Sequence, residues 1–193
     1  MRVEKTKLDG LFIIHPQVFG DERGWFMESF NQQRFESVFE ELNLPVPNFV
    51  QDNHSKSSRG VLRGLHYQLP PKAQGKLVRV VQGKVWDVAV DIRKGSSTFG
   101  QWVGEELSAD NHKQLWIPPG FAHGFITLSE TAEFLYKTTD YYSPEHERAI
   151  RWDDPQLAIA WPLYTTDIQI SAKDQQALAF SQAEVFENVE CSV

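Results

Sequence analysis

Cysteine is nearly absent from this chain of 193 residues: the single Cys191 stands near the C-terminus, without a partner for an internal disulfide or for a CxxC metal pair. Thiol chemistry is therefore set aside. Long apolar runs are missing too, since no stretch approaches the ~18 residues that a membrane helix needs, and the opening MRVEKTKLDG lacks the apolar core of a signal peptide. These two absences predict a cytoplasmic protein with no membrane partner. Compositional bias is also lacking. With 12 Gly, 10 Pro, 41% apolar and 12% aromatic residues the chain falls outside the disordered, collagenous and low-complexity classes, and its length fits a single domain spanning 1–193.

One local absence says more than the totals. The net charge is −7, which argues against a nucleic-acid partner, yet between Asp52 and Asp87 there is no acidic residue. That interval holds Lys56, Arg59, Arg63, Lys72, Lys76, Arg79 and Lys84, seven of the 19 cations. On an acidic protein, such an island suits a small anion such as a phosphorylated metabolite; it equally suits a strand edge kept soluble by Lys and Arg.

Helical periodicity is scarce. Phe35, Val38, Phe39 and Leu42 follow i, i+3, i+4, i+7 spacing behind a possible Asn31 cap, which predicts a helix within 31–44, and Ser171 to Phe180 is a second, shorter candidate. Elsewhere the pattern is of short β-branched or aromatic runs punctuated by Gly and Pro: 11–14, 25–30, 76–82, 85–92, 115–117, 125–128 and 133–138. Gly83-Lys84 between the third and fourth of these predicts a tight hairpin. Many short strands with few helices point to a sandwich or barrel.

Two motifs carry chemistry. Gly60 followed by five residues and His66, and later Pro118-Pro119-Gly120-Phe121-Ala122-His123, resemble the paired motifs of the cupin superfamily. The resemblance implies a mainly β fold, a cupin-type jelly roll or double-stranded β-helix with a few short helices. The metal-binding part of the pattern does not match. Gln68 stands where the second His of H-x-H belongs, and Lys76, with six residues between it and Gly83, fills the slot of the acid. A lysine ammonium cannot share a site with a divalent ion unless neutralised, so neither a metal nor another cofactor is expected. What remains is a base, His66, beside an oxyanion stabiliser, Lys76, a pairing suited to proton abstraction next to a carbonyl. An acid must return the proton, and Tyr136, Tyr141 and Tyr142 are candidates on or after a late strand.

Over nearly its full length the chain resembles the dTDP-4-dehydrorhamnose 3,5-epimerase family. RGVLRGLHYQ followed by GKLVRVVQGKVWDVAVDIR is the most specific part, with Asp21-Glu22-Arg23-Gly24, Gln51-Asp52-Asn53-His54-Ser55, Tyr142-Ser143-Pro144 and Ser171-Ala172-Lys173-Asp174 in support. The resemblance implies a homodimer that inverts C3 and C5 of a 4-keto sugar nucleotide. It makes His66 the base, Asp174 its orienting partner, Lys76 the enolate stabiliser and Tyr136 the proton donor. Arg23, Arg59, Arg63 and the basic island would serve the diphosphate, and Phe26, Glu28, Gln51 and Asn53 the nucleotide or sugar. His123 would touch the sugar or support residues that do, while Tyr142 and Lys173 join the substrate-binding set.

Plainer readings stand beside these. Ser171-x-x-Asp174 is also a capping box, Tyr136 alternates with Phe134 as core packing would, and His123 could simply satisfy turn backbone. The six Trp are read as core or dimer contacts. At the level of activity the alternatives are a single-carbon epimerase of a related deoxysugar nucleotide, a metal-dependent cupin, and a non-catalytic module that binds a sugar nucleotide.

Overall fold

The structure is a computed structural model that describes residues 1–162 and 168–187, so Cys191 lies outside the described residues. Two antiparallel sheets face one another. The first runs, in spatial order, β1 (Arg2–Lys5), β2 (Phe12–His15), β10 (Gln114–Ile117), β7 (Lys76–Gln82), β12 (Thr131–Thr138) and β5 (Gln51–Ser58). The second runs β13 (Glu147–Ala149), β6 (Val61–Gln68), β11 (Phe121–Thr127), β8 (Lys84–Asp91) and β9 (Trp102–Ser108), with β14 (Gln169–Ile170) parallel to β6. A separate ribbon, β3 (Val18–Asp21) with β4 (Gly24–Met27), pairs only with itself. Such crossing between sheets is the jelly-roll arrangement expected from the cupin motifs.

Strand alternation builds the layers. Inward residues of both sheets, among them Ile13, Val78, Val80, Leu115, Phe134, Val85, Ala89, Leu107, Phe121 and Phe125, form the central core. The outer face of the first sheet presents Phe12, Ile14, Leu77 and Trp116 to Phe35 and Phe39 of helix α1 (Gln32–Glu41), whose Asn31 cap accepts from the Arg34 N–H. The outer face of the second sheet is covered by Trp161, Phe180 and Phe186 of the C-terminal segment. Five tryptophans thus pack in or against cores, whereas Trp25 is 59% exposed on the ribbon. The second helical candidate resolves into α2 (Ala172–Gln175) and a separate 3₁₀ turn at Phe180–Gln182.

The expected hairpin of residues 76–92 does not form. Gly83 does adopt the positive φ of a turn (+71°), but β7 pairs with β10 and β12 while β8 pairs with β11 and β9. The turn carries the chain across the sandwich from one sheet to the other. A glycine dipeptide encodes reversal of direction; which neighbours the two strands then pair with is decided by their apolar faces.

Candidate active site

His66 owes its orientation to a bulge. In the β6–β11 pairing His66 is opposite His123 and Arg63 is opposite Phe125, so β6 spends one residue more than β11 over this interval. In a regular strand residues 63 and 66 would face opposite ways; the extra residue brings both to the interior side. Gly64 makes the bulge possible, with φ +118° and a backbone so close to β11 that an added Cβ would lie 2.6 Å from Gly124 Cα.

His66 Nε2 lies 2.6 Å from Asp174 Oδ1. Asp174 is on α2, where the Ser171 hydroxyl caps the helix by accepting from the Asp174 N–H at 3.1 Å. The capping box and the dyad therefore coexist: serine does the capping, and the carboxylate is left for the imidazole. Burial pushes the Asp174 carboxyl up, but the His66 hydrogen bond and charge, the Ser171 hydroxyl and the Gly64 N–H outweigh it and hold the group below the usual carboxylate range. An ionised Asp174 only accepts, so Nε2 of His66 carries the proton and Nδ1 keeps the free lone pair.

Beside this pair the Lys76 amine opens β7, is 8% exposed and donates to the His66 carbonyl at 3.2 Å. Burial lowers its pKa to about 8, against the opposing pull of the Asp87 and Glu147 charges. Across the sandwich, His123 Nε2 lies 3.0 and 2.9 Å from the two oxygens of the fully buried Asp87. Burial lowers the His123 pKa, helped by the charges of Lys76 and His66 and opposed by Asp87. Tyr136, on the interior side of β12 beside Phe134, makes no hydrogen bond through its hydroxyl to any described residue. Burial raises its pKa, with Arg63 pulling the other way and Glu147 adding to the rise. The phenol is thus kept protonated at neutral pH. Among the described residues no three His, Cys, Asp or Glu side chains converge as metal ligands would.

Two acids that sequence reasoning missed tie the site together. Glu147 accepts from the Tyr142 hydroxyl at 2.6 Å and from the Lys173 amine, and its charge is felt by His66, Lys76 and Tyr136. Asp87 was detectable as a lone acid on the apolar parity of VWDVAV; Glu147, in an irregular polar stretch, gave no such signal. Gln51 and Asn53 lie at the start of β5, with Asn53 opposite Tyr136 and the two amides bonded at 2.9 Å. Arg63 donates to Ser57 at 3.0 Å.

Other expected site residues do not join this group. Arg59 sits in the β5–β6 turn, roughly 20 Å along extended chain from His66 at ~3.3 Å per residue. Arg23 pairs with Asp21 at the ribbon tip and Phe26 is 68% exposed there. Glu28 is held by Asn31 and Arg34 ahead of α1. The basic island disperses as well: Lys56 pairs with Glu133, Lys72 with Asp140 and Lys84 with Glu106. Three of the seven island cations are thus paired with acids, whereas Lys76 and Arg63 stay beside His66 and Tyr136.

A half-buried base held by a buried carboxylate, an adjacent amine and a protonated phenol at the mouth of a cupin-type jelly roll define a general acid–base enzyme. The sequence profile of the dTDP-4-dehydrorhamnose 3,5-epimerase family matches residues 5–182. The chain is 59% identical over 186 residues to dTDP-4-dehydrorhamnose 3,5-epimerase of Pseudomonas aeruginosa, covering 96% of this chain and 99% of that one. It is 36% identical over 184 residues to a dTDP-4-dehydrorhamnose 3-epimerase of Streptomyces niveus, covering 95% and 86% of the two chains. Among solved structures, the Legionella pneumophila 3,5-epimerase in complex with dTDP-4-keto-L-rhamnose superposes with TM-score 0.91 at 51% identity over 98% of each chain. The chain belongs to the dTDP-4-dehydrorhamnose 3,5-epimerase family.

Proposed function

We propose that this chain inverts C3 and C5 of dTDP-4-dehydro-6-deoxy-D-glucose, giving dTDP-4-dehydro-L-rhamnose, and that the residues at the barrel mouth perform the proton transfers. The observation that carries the reading is the 2.6 Å His66–Asp174 contact beside a buried lysine amine. Both carbons flank the C4 ketone, so one base and one oxyanion site can serve each in turn. His66 Nδ1 removes the C3 proton, the electron pair moves onto the C4 oxygen, and the Lys76 ammonium holds the enolate. Tyr136 returns a proton to the opposite face of the carbon, reversing its configuration. Exchange with solvent resets His66 and Tyr136, and the sequence repeats at C5.

The same reading gives Asn53, Gln51, Arg63, Tyr142, Lys173, Glu147 and His123 roles in holding the sugar nucleotide or the residues that touch it. It also favours a homodimer, working in the cytoplasm as one domain. Arg23 and Phe26 match the family at substrate-binding positions yet project on a ribbon whose Phe19, Trp25 and Phe26 are 54%, 59% and 68% exposed. A second copy would bury these rings and bring Arg23 and Phe26 to its own mouth. No helix among the described residues is long and apolar enough to cross a membrane.

The test is turnover in heavy water. Deuterium at both C3 and C5 is the expected outcome, label at one carbon would mark a single-site epimerase, and label at neither would sink the proposal.

A further inference from the structure

The segment between β12 and β13 carries Tyr142 to the mouth; backbone bonds hold its ends, the Thr139 N–H donating to the Gly75 carbonyl and the Leu69 N–H to the His146 carbonyl, both at 3.0 Å, while residues 140–142 make no backbone–backbone bond to any described residue. The anchors of this middle stretch are side-chain amides. Gln68, the last residue of β6 and 4% exposed, donates through Nε2 to the Lys72 carbonyl at 2.6 Å and the Tyr141 carbonyl at 3.2 Å. Its Oε1 accepts from the Ser143 N–H at 2.8 Å. Tyr142 lies between the last two partners, and its own N–H donates to Gln51 Oε1 at 3.1 Å. Consecutive backbone groups on both sides of Tyr142 thus end on two glutamines, and both donors of the Gln68 amide are used.

The bond to Lys72 adds a second loop. Residues 69–75 lead from β6 to Lys76, and Gln74 Nε2 donates to the Asp140 carbonyl at 2.8 Å while the Gly75 N–H donates to Thr139 Oγ1 at the same distance. The loop before the lysine and the segment bearing Tyr142 are therefore zipped together, with Gln68 as the buried member of the seam. In a metal-binding cupin this position would carry a ligand. Here its polar atoms are spent on backbone groups of the rim.

We propose that Gln68 is a positioning residue that fixes Tyr142 over the mouth and, through the Tyr142–Glu147 hydrogen bond, orients the carboxylate whose charge reaches His66 and Lys76. The inference rests on the reading that Tyr142 meets the substrate, and the two are tested separately. Gln68→Met keeps the volume and removes both donors and the acceptor; it lowers kcat/KM by about thirtyfold, the scale expected when a contact is displaced by a fraction of an ångström. Affinity for dTDP, measured by calorimetry, stays within about twofold, which separates a positional fault from loss of fold.

A double-mutant cycle is decisive. In a Tyr142→Ala background there is no ring to place, so Gln68→Met changes kcat/KM by no more than about threefold. An equal fall in both backgrounds overturns the inference. Tyr142→Ala alone, if it matches the parent enzyme, overturns the reading of Tyr142 and leaves the cycle to report on Gln68. If Gln68→Met does not fold, Gln68→Glu keeps the size and the bond from Ser143 while losing the donors at neutral pH, and the same cycle applies with the same two outcomes.

Discussion

The barrel mouth and the β3–β4 ribbon both carry residues that resemble the family in sequence, and the structure treats them as opposites. At the mouth, Asp174, Lys76, His123 and Asp87 are all under 9% exposed and each of these four has a hydrogen-bond partner. On the ribbon, Arg23 pairs with a residue two positions away and Phe26 faces outward. Proton transfer needs fixed geometry and a site from which water is largely excluded, because only there does an amine stabilise an enolate strongly. Recognition of a flexible sugar nucleotide can be left to an element that finds its place on assembly. The difference separates residues expected to set kcat from residues expected to set KM.

His66→Ala is the harshest test of that division. It removes the base while leaving the ribbon and rim intact, so kcat falls by about 10³-fold or more and dTDP binding measured by calorimetry stays near that of the parent. Retention of turnover would make the mouth a binding pocket only.

Lys76→Met comes next. Loss of a preorganised oxyanion partner lowers kcat by roughly 10²–10³-fold, yet the melting temperature is expected at or above the parent's, because a buried ammonium whose pKa is driven down to about 8 weakens the fold at neutral pH. The sign follows from linkage: between the depressed folded value and the ordinary lysine value of 10.5 the unfolded chain binds the extra proton, so stability contributed by this group rises with pH across that window. Activity runs the other way. The enolate needs the ammonium form, so kcat/KM of the parent declines as pH passes about 8, and the Met variant loses that limb of the profile.

How much of this was legible depends on what the chemistry asks of the sequence. β7 was readable to the residue, since KLVRVVQ alternates between two apolar faces, and α1 was readable from its stripe and its Asn31 cap. β5 was not: QDNHSKSS has no apolar face, and it is a strand because β12 supplies an edge to pair with. β1 is hidden in the same way by the charges of RVEK. The base stood out because it matches a known pattern at fixed spacing and the amine because it breaks that pattern, whereas Glu147 meets Lys173 26 positions away from an irregular polar stretch and only folding reveals it. Of the basic island, Lys56, Lys72 and Lys84 are taken up by Glu133, Asp140 and Glu106, pairings that their closeness in sequence does not show.

Gly64→Ala probes the mouth through its backbone. A Cβ there meets Gly124 Cα at 2.6 Å and the His123 carbonyl oxygen at 2.7 Å, at a φ of +118° that non-glycine residues rarely adopt. The strands must part or the bulge must move, which is expected to destabilise by about 2–4 kcal/mol in thermal or urea unfolding and to take activity with it by turning His66. Wild-type turnover in a folded Gly64→Ala protein would show that the bulge does not aim the base.

The smallest effect on the single chain belongs to Phe26→Ala. The ring is 68% exposed, so its truncation removes little buried area, and unfolding of the isolated protomer shifts by no more than about 0.5 kcal/mol, as for other surface substitutions. If a second copy seats the ribbon, the same change raises KM by about tenfold, the share of an aromatic anchor in a pocket, weakens dimerisation in analytical ultracentrifugation, and leaves kcat at saturating substrate within about twofold of the parent. A fall in kcat with KM unchanged would place Phe26 on the wrong side of the division between chemistry and recognition, because a ring this far outside the mouth can alter the proton transfers only by reaching the reacting carbons themselves.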